Sequence, residues 1–98
     1  MLTRIVKMEF EPEKVNEFLT YFDTIQKTIR EQPGCTDVYL MQDLNNPRIV
    51  FSFSAWETGK DLEQYLKTDF FRGVWVKTKS LFNSNKPMAW SVEAVNRK

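Results

Sequence analysis

Histidine is absent from this chain of 98 residues, and that one gap removes much of the usual chemistry. Serine–histidine and cysteine–histidine nucleophile pairs cannot be built, nor can histidine-ligated haem or the common zinc sites. A proton moved near neutral pH must come from a carboxyl, a tyrosine, a lysine or the substrate itself. Cysteine is scarce as well. Cys35 stands alone, which excludes an intrachain disulfide and any multi-cysteine metal site. Nothing near it in sequence would depress its thiol pKa, so it reads as a structural spacer leaving a turn. An excess of one charge is also missing: 14 basic and 13 acidic residues leave a net +1. That provides no electrostatic case for nucleic acid or an anionic membrane. No apolar run is long enough to span a bilayer, and the N-terminus lacks a signal-peptide core. The expected location is the cytoplasm, with no membrane partner.

What is present argues for one packed domain over residues 1–98. Hydrophobic residues make up 42% of the chain and aromatics 14%, too many for a disordered polymer. The stretch Arg48–Trp56 organises the rest. Read as a strand, it puts Ile49, Phe51, Phe53 and Ala55 on one face and Val50, Ser52, Ser54 and Trp56 on the other. Both faces carry apolar residues, as in a strand at the middle of a sheet. The second face holds two small hydroxyls between Val50 and Trp56. Either a cavity roofed by the indole lies above them, or a helix comes closer there.

Leu2–Phe10 reads as a first strand whose apolar face is Leu2, Val6, Met8 and Phe10, with Arg4 as the odd member, a charge at the sheet margin. Glu11-Pro12-Glu13 suits a helix start, with proline in the first turn and carboxylates at the positive end of the dipole. Val15, Phe18, Leu19, Phe22, Ile25 and Ile29 then recur at helical spacing, and Tyr21 sits at the boundary of that stripe. Gln32-Pro33-Gly34 ends this helix. Thr36–Gln42 is a second strand, joined through the turn Asp43–Pro47 to Arg48–Trp56 as an antiparallel hairpin. Thr58-x-x-Asp61 resembles a capping box with Asp in place of Glu. Leu62, Tyr65 and Leu66 form a short helix behind it, and Thr68-Asp69 caps another carrying Phe71, Val74, Trp75, Thr78, Leu81 and Phe82. Pro87–Val95 is the last strand, and Asn96–Lys98 a frayed tail.

The order β-α-β-β-α-β defines an α+β, ferredoxin-like fold: a four-stranded antiparallel sheet with its helices on one face. The first and third strands are then central. The other face, bearing Phe51 and Phe53, has no helix over it. An uncovered apolar face of that size predicts a homodimer through the open sheet.

At Gln32-Pro33-Gly34-Cys35, the Asp43–Pro47 turn, and Trp56-Glu57 followed by Leu62, Tyr65, Leu66 and Phe71, the chain resembles the antibiotic biosynthesis monooxygenase (ABM) domain of the dimeric α+β barrel superfamily. The resemblance runs from Leu2 to Val95 and implies pairing of two sheets into a barrel. Many members carry histidines at places that fall here near Tyr65 and on Phe70. The haem-degrading branch uses a first-strand asparagine, a tryptophan and a second-helix histidine. This chain has no asparagine between Leu2 and Phe10, and Val74-Trp75 stand where the ligand would fall. The resemblance therefore points away from haem degradation.

It points instead towards cofactor-independent oxygenases of polycyclic phenols and quinols. In these the deprotonated substrate supplies the electron to oxygen, and the protein provides a dry pocket with hydrogen bonds to the oxyanion. On that reading no cofactor and no metal is needed. Trp56 is the matching indole, and Ser52, Ser54, Tyr65 and Arg72 are the polar candidates for binding a small aromatic or quinol-type substrate. Two other readings stay open: a dimer that binds an apolar metabolite without turnover, and a purely structural dimer whose serine face is tightly packed.

Overall fold

The computed structural model describes residues 1–95. The Asn96–Lys98 tail lies outside them. Strand β1 spans Leu2–Glu9, followed by a 3₁₀ turn over Pro12–Lys14 and helix α1 over Val15–Arg30. Strands β2 (Cys35–Gln42) and β3 (Ile49–Trp56) form the hairpin, and helices α2 (Gly59–Leu66) and α3 (Asp69–Lys79) precede β4 (Met88–Val92). The sheet is antiparallel with order β2-β3-β1-β4, so the first and third strands are the inner pair. This is the α+β, ferredoxin-like arrangement.

Local chemistry sets the element ends. Pro12 opens the 3₁₀ turn, where its missing N–H costs nothing. Val15, Phe18, Phe22, Ile25 and Ile29 then bury one side of α1 against the sheet. Its C-terminal half is tied to the edge strand β2: Gln26 Nε2 and Arg30 donate to the Val38 carbonyl at 2.9 and 3.3 Å. The last helical segment divides at Lys67-Thr68. Thr68 donates to the Tyr65 carbonyl at 2.7 Å and accepts from the Phe71 N–H at 3.0 Å, ending α2 and capping α3 with one hydroxyl.

β4 is shorter than the expected Pro87–Val95. Its pairing runs from Met88 opposite Lys7 to Val92 opposite Thr3, one residue short of the start of β1. β1 also stops at Glu9, and Phe10 instead makes an isolated bridge to Phe82. The Asn83 side chain donates to the Glu9 carboxylate at 2.8 Å, and the Asn83 N–H donates to the Glu9 carbonyl at 3.0 Å. These contacts lock the segment after α3 onto the end of the first strand.

Candidate functional site

The inner face of the sheet is uneven in volume. The cross-strand register gives one row of Val38, Ser54, Arg4 and Ser91, and a second of Leu40, Ser52, Val6 and Ala89. Cross-strand partners share a face, so small side chains gather at the centre of the sheet. Bulk returns at either end, where Trp56, Val50 and Phe10 are fully buried. The helices rest on those ends and span the gap between them.

A cavity of about 300 Å³ occupies the gap. Its floor is Arg4, Val6, Met8, Val38, Ser52 and Ser54 from the strands. Phe18, Phe22, Ile25 and Ile29 of α1 form one wall. Tyr65 and Leu66 of α2, with Phe71, Val74, Trp75 and Thr78 of α3, line the rest. Aromatic contacts run around this shell. Trp56 stacks on Tyr65 at 5.0 Å, Tyr65 meets Phe71 edge-on at 5.2 Å, and Phe71 lies 6.3 Å from Trp75. Trp75 then contacts Phe82, which touches Phe10, itself stacked on Phe18 at 4.5 Å. Each such pair adds roughly 0.5–1.5 kcal/mol beyond its buried area.

Of the five candidate residues, the structure brings Ser52, Ser54 and Tyr65 together on the cavity and leaves two outside. Trp56 lies behind the wall rather than roofing the space. Its ring is wholly buried, and its indole N–H donates to the Ser54 hydroxyl at 2.9 Å. That bond directs a buried donor to the nearest acceptor on its own face of the strand. Arg72 points away. Phe71, Val74, Trp75 and Thr78 set the inward phase of α3, which turns residue 72 to solvent, where it pairs with Asp69 at 3.2 Å.

Arg4 also lines the cavity, outside the five candidates. It is not a margin charge: it stands on an inner strand, opposite Ser54 and on the cavity floor. Burial opposes its charge and lowers its pKa, while the neighbouring Tyr65 acts the other way. The pattern did hold a signal, because alternation puts Arg4 on the same face as Val6 and Met8. Tyr65 is buried, and loss of solvent pushes its phenol well above the ordinary range, so it stays protonated and acts as a donor. Burial raises the Cys35 thiol too, which disfavours its thiolate form.

A ferredoxin-like sheet with an apolar chamber under its helices is the class that fold and geometry define. The chain belongs to the antibiotic biosynthesis monooxygenase family, whose model matches residues 1–74. Similar solved structures extend the likeness over the whole length. A conserved protein from Methanosarcina mazei Go1 is 24% identical, with a TM-score of 0.84 over 94% of this chain and 91% of that one. An antibiotic biosynthesis monooxygenase is 19% identical, with a TM-score of 0.87 over 98% of this chain and 100% of that one. A mutant of SnoaB, a cofactor-independent oxygenase from Streptomyces nogalater, is 14% identical, with a TM-score of 0.85 over 98% and 94%. At these identities the likeness speaks for the fold. No protein with curated annotation matches the chain significantly.

Proposed function

We propose that the protein is a homodimeric, cofactor-independent monooxygenase that takes a small aromatic, quinol-type compound into the cavity. The observation that carries this reading is the chamber itself, apolar on most sides with its hydroxyl donors on the Ser52–Ser54–Tyr65 side. Such a site can do two things for a substrate oxyanion. It holds the charge with preorganised donors, and its apolar walls limit the water around the reacting carbon. The substrate supplies both electrons. Its anion passes one to dioxygen, the resulting radical pair joins to form a carbon–oxygen bond, and loss of water from the hydroperoxide leaves a ketone. One oxygen atom enters the product and the other leaves as water. SnoaB's description as a cofactor-independent oxygenase supports the chemistry on this fold.

One observation favours a second reading, a dimer that binds an aromatic metabolite without turnover. No aspartate or glutamate lines the cavity among the described residues, and the chain has no histidine, so the wall offers no general base. Oxygen uptake decides between the two. With a panel of naphthols, hydroquinones and anthrones, and no added flavin or metal, the monooxygenase reading expects one oxygen consumed per substrate converted. Saturable binding with no oxygen uptake above the buffer rate across the panel would establish the binding module instead.

A further inference from the structure

Arg4 differs from the other arginines of the described chain. Arg30 lies 3.7 Å from Asp37, Arg72 lies 3.2 Å from Asp69, and Arg48 donates to Asn46 at 3.3 Å. Among the described residues, Arg4 has neither an ion pair nor a side-chain hydrogen bond, yet it is the arginine set into the cavity floor. A guanidinium keeps its proton, and Arg4, partly buried with its nitrogens still reached by solvent, is the charged residue on the cavity lining and can take up an anion there. The surrounding wall holds no aspartate or glutamate to supply one.

The neighbouring polar groups favour the same partner. Tyr65 is a protonated phenol. Ser54 already accepts the Trp56 indole N–H, which leaves its own hydroxyl proton free to be donated. Ser52 adds another hydroxyl on the same strand face. One fixed positive charge with several donors and no base can hold an anion, but it cannot make one by taking a proton.

We propose that the cavity selects ligands that enter already ionised: planar aromatic compounds bearing an acidic oxygen, either a carboxylate or the enolate of a hydroxyquinone, with the anionic oxygen held by Arg4. This rests on the reading of the cavity as a small-molecule site and narrows the monooxygenase reading to quinols that enter as their anions. It also excludes simple neutral phenols as the preferred ligand, because nothing on the wall would ionise them. The volume lies at the low end for small-molecule pockets, which suits a compound of one or two rings.

The test is calorimetric titration with matched pairs differing only in charge. One pair is 2-naphthoate and 2-naphthamide. The other is 2-hydroxy-1,4-naphthoquinone, ionised at neutral pH, and its 2-methoxy ether. At least one anion should bind tenfold or more tightly than its neutral twin, about 1.4 kcal/mol. The pair that shows the preference identifies carboxylate or enolate. Arg4→Met should abolish the preference and Arg4→Lys should keep part of it, with melting curves confirming that each variant folds. Arg4→Gln gives the same comparison if the methionine variant fails to fold.

Equal binding of the twins, an undiminished preference in the charge-free variants, or no binding of either anion at millimolar concentration would overturn the proposal. Anion-selective binding without oxygen uptake upholds it while removing the monooxygenase reading. Oxygen uptake on neutral quinols with no anion preference does the reverse.

Discussion

Ser52 and Ser54 occupy interior strand positions where a valine or leucine would fill the space, and the cavity follows from that shortfall. Ser52→Leu tests it directly. A buried leucine side chain is stabilising by about 1.5–3 kcal/mol relative to an exposed one, less roughly 0.5–1 kcal/mol of lost rotamer freedom. In an open cavity the variant should therefore melt at or above the wild-type temperature while binding aromatic ligands at least tenfold more weakly. In a packed interior the same change would cost roughly 1–3 kcal/mol, and a clear fall in melting temperature would show the space to be closed. At this scale the sequence was partly legible. Alternation alone put both serines and Trp56 on the helix side of β3. It could not show that the indole N–H would turn to Ser54, because that depends on how the ring stacks against Tyr65. Arg4 shows the converse: a charge among apolar positions suggests the sheet margin, whereas its inner strand places it on the cavity floor.

Elements were more legible than residues, because their ends are written in local chemistry. The Pro12 turn, the Gly34 stop and the Thr58 and Thr68 caps stand where the sequence puts them. The end of β4 was not legible, since it depends on how much of β1 remains to be paired. Gly34 shows how two elements are joined. Its φ of +82° lies in the left-handed region, and an added Cβ would collide with the Asp61 side chain. Asp61 is held in place, accepting the Thr58 hydroxyl at 2.9 Å while its own N–H donates to that hydroxyl at 3.1 Å. The Gly34 carbonyl in turn accepts from the Glu57 N–H at 2.8 Å. The turn after α1 therefore lies directly against the capped start of α2. Gly34→Ala should cost about 2 kcal/mol or more, from the backbone penalty plus displacement of that cap. Asp61→Gly, which also removes the Cβ that stands in the way, should show a favourable coupling with Gly34→Ala, and thermal melts of the single and double variants measure it. Equal melting temperatures for Gly34→Ala and wild type would mean that the turn is not a constrained contact.

The whole molecule leaves one side of its sheet bare. Cross-strand register places Tyr39, Phe53, Ile5 and Trp90 in one row on the outer face, and Met41, Phe51, Lys7 and Met88 in the next. Tyr39 stacks on Phe53 at 5.3 Å within the first row. Along the edge, Met88, Trp90 and Val92 are 52%, 41% and 42% exposed, too much apolar surface for a strand meant to face water. We propose that a second copy of the chain covers this face, because two such sheets bury each other's rows without either chain needing a further element. A stable pair should bury more than about 1,200 Å² in total. The wild-type protein is then expected to sediment as a dimer at micromolar concentration. Phe53→Asp would place an unpaired carboxylate at the centre of the first row, where desolvation has nothing to offset it. That variant should sediment as a monomer or lose its fold, and circular dichroism separates the two outcomes. An outer-edge control such as Leu44→Asp, at a 98% exposed loop position, should leave the dimer intact. A wild-type chain that runs as a monomer throughout the micromolar range would show that the face is stable in water, and the partner would have to be sought elsewhere.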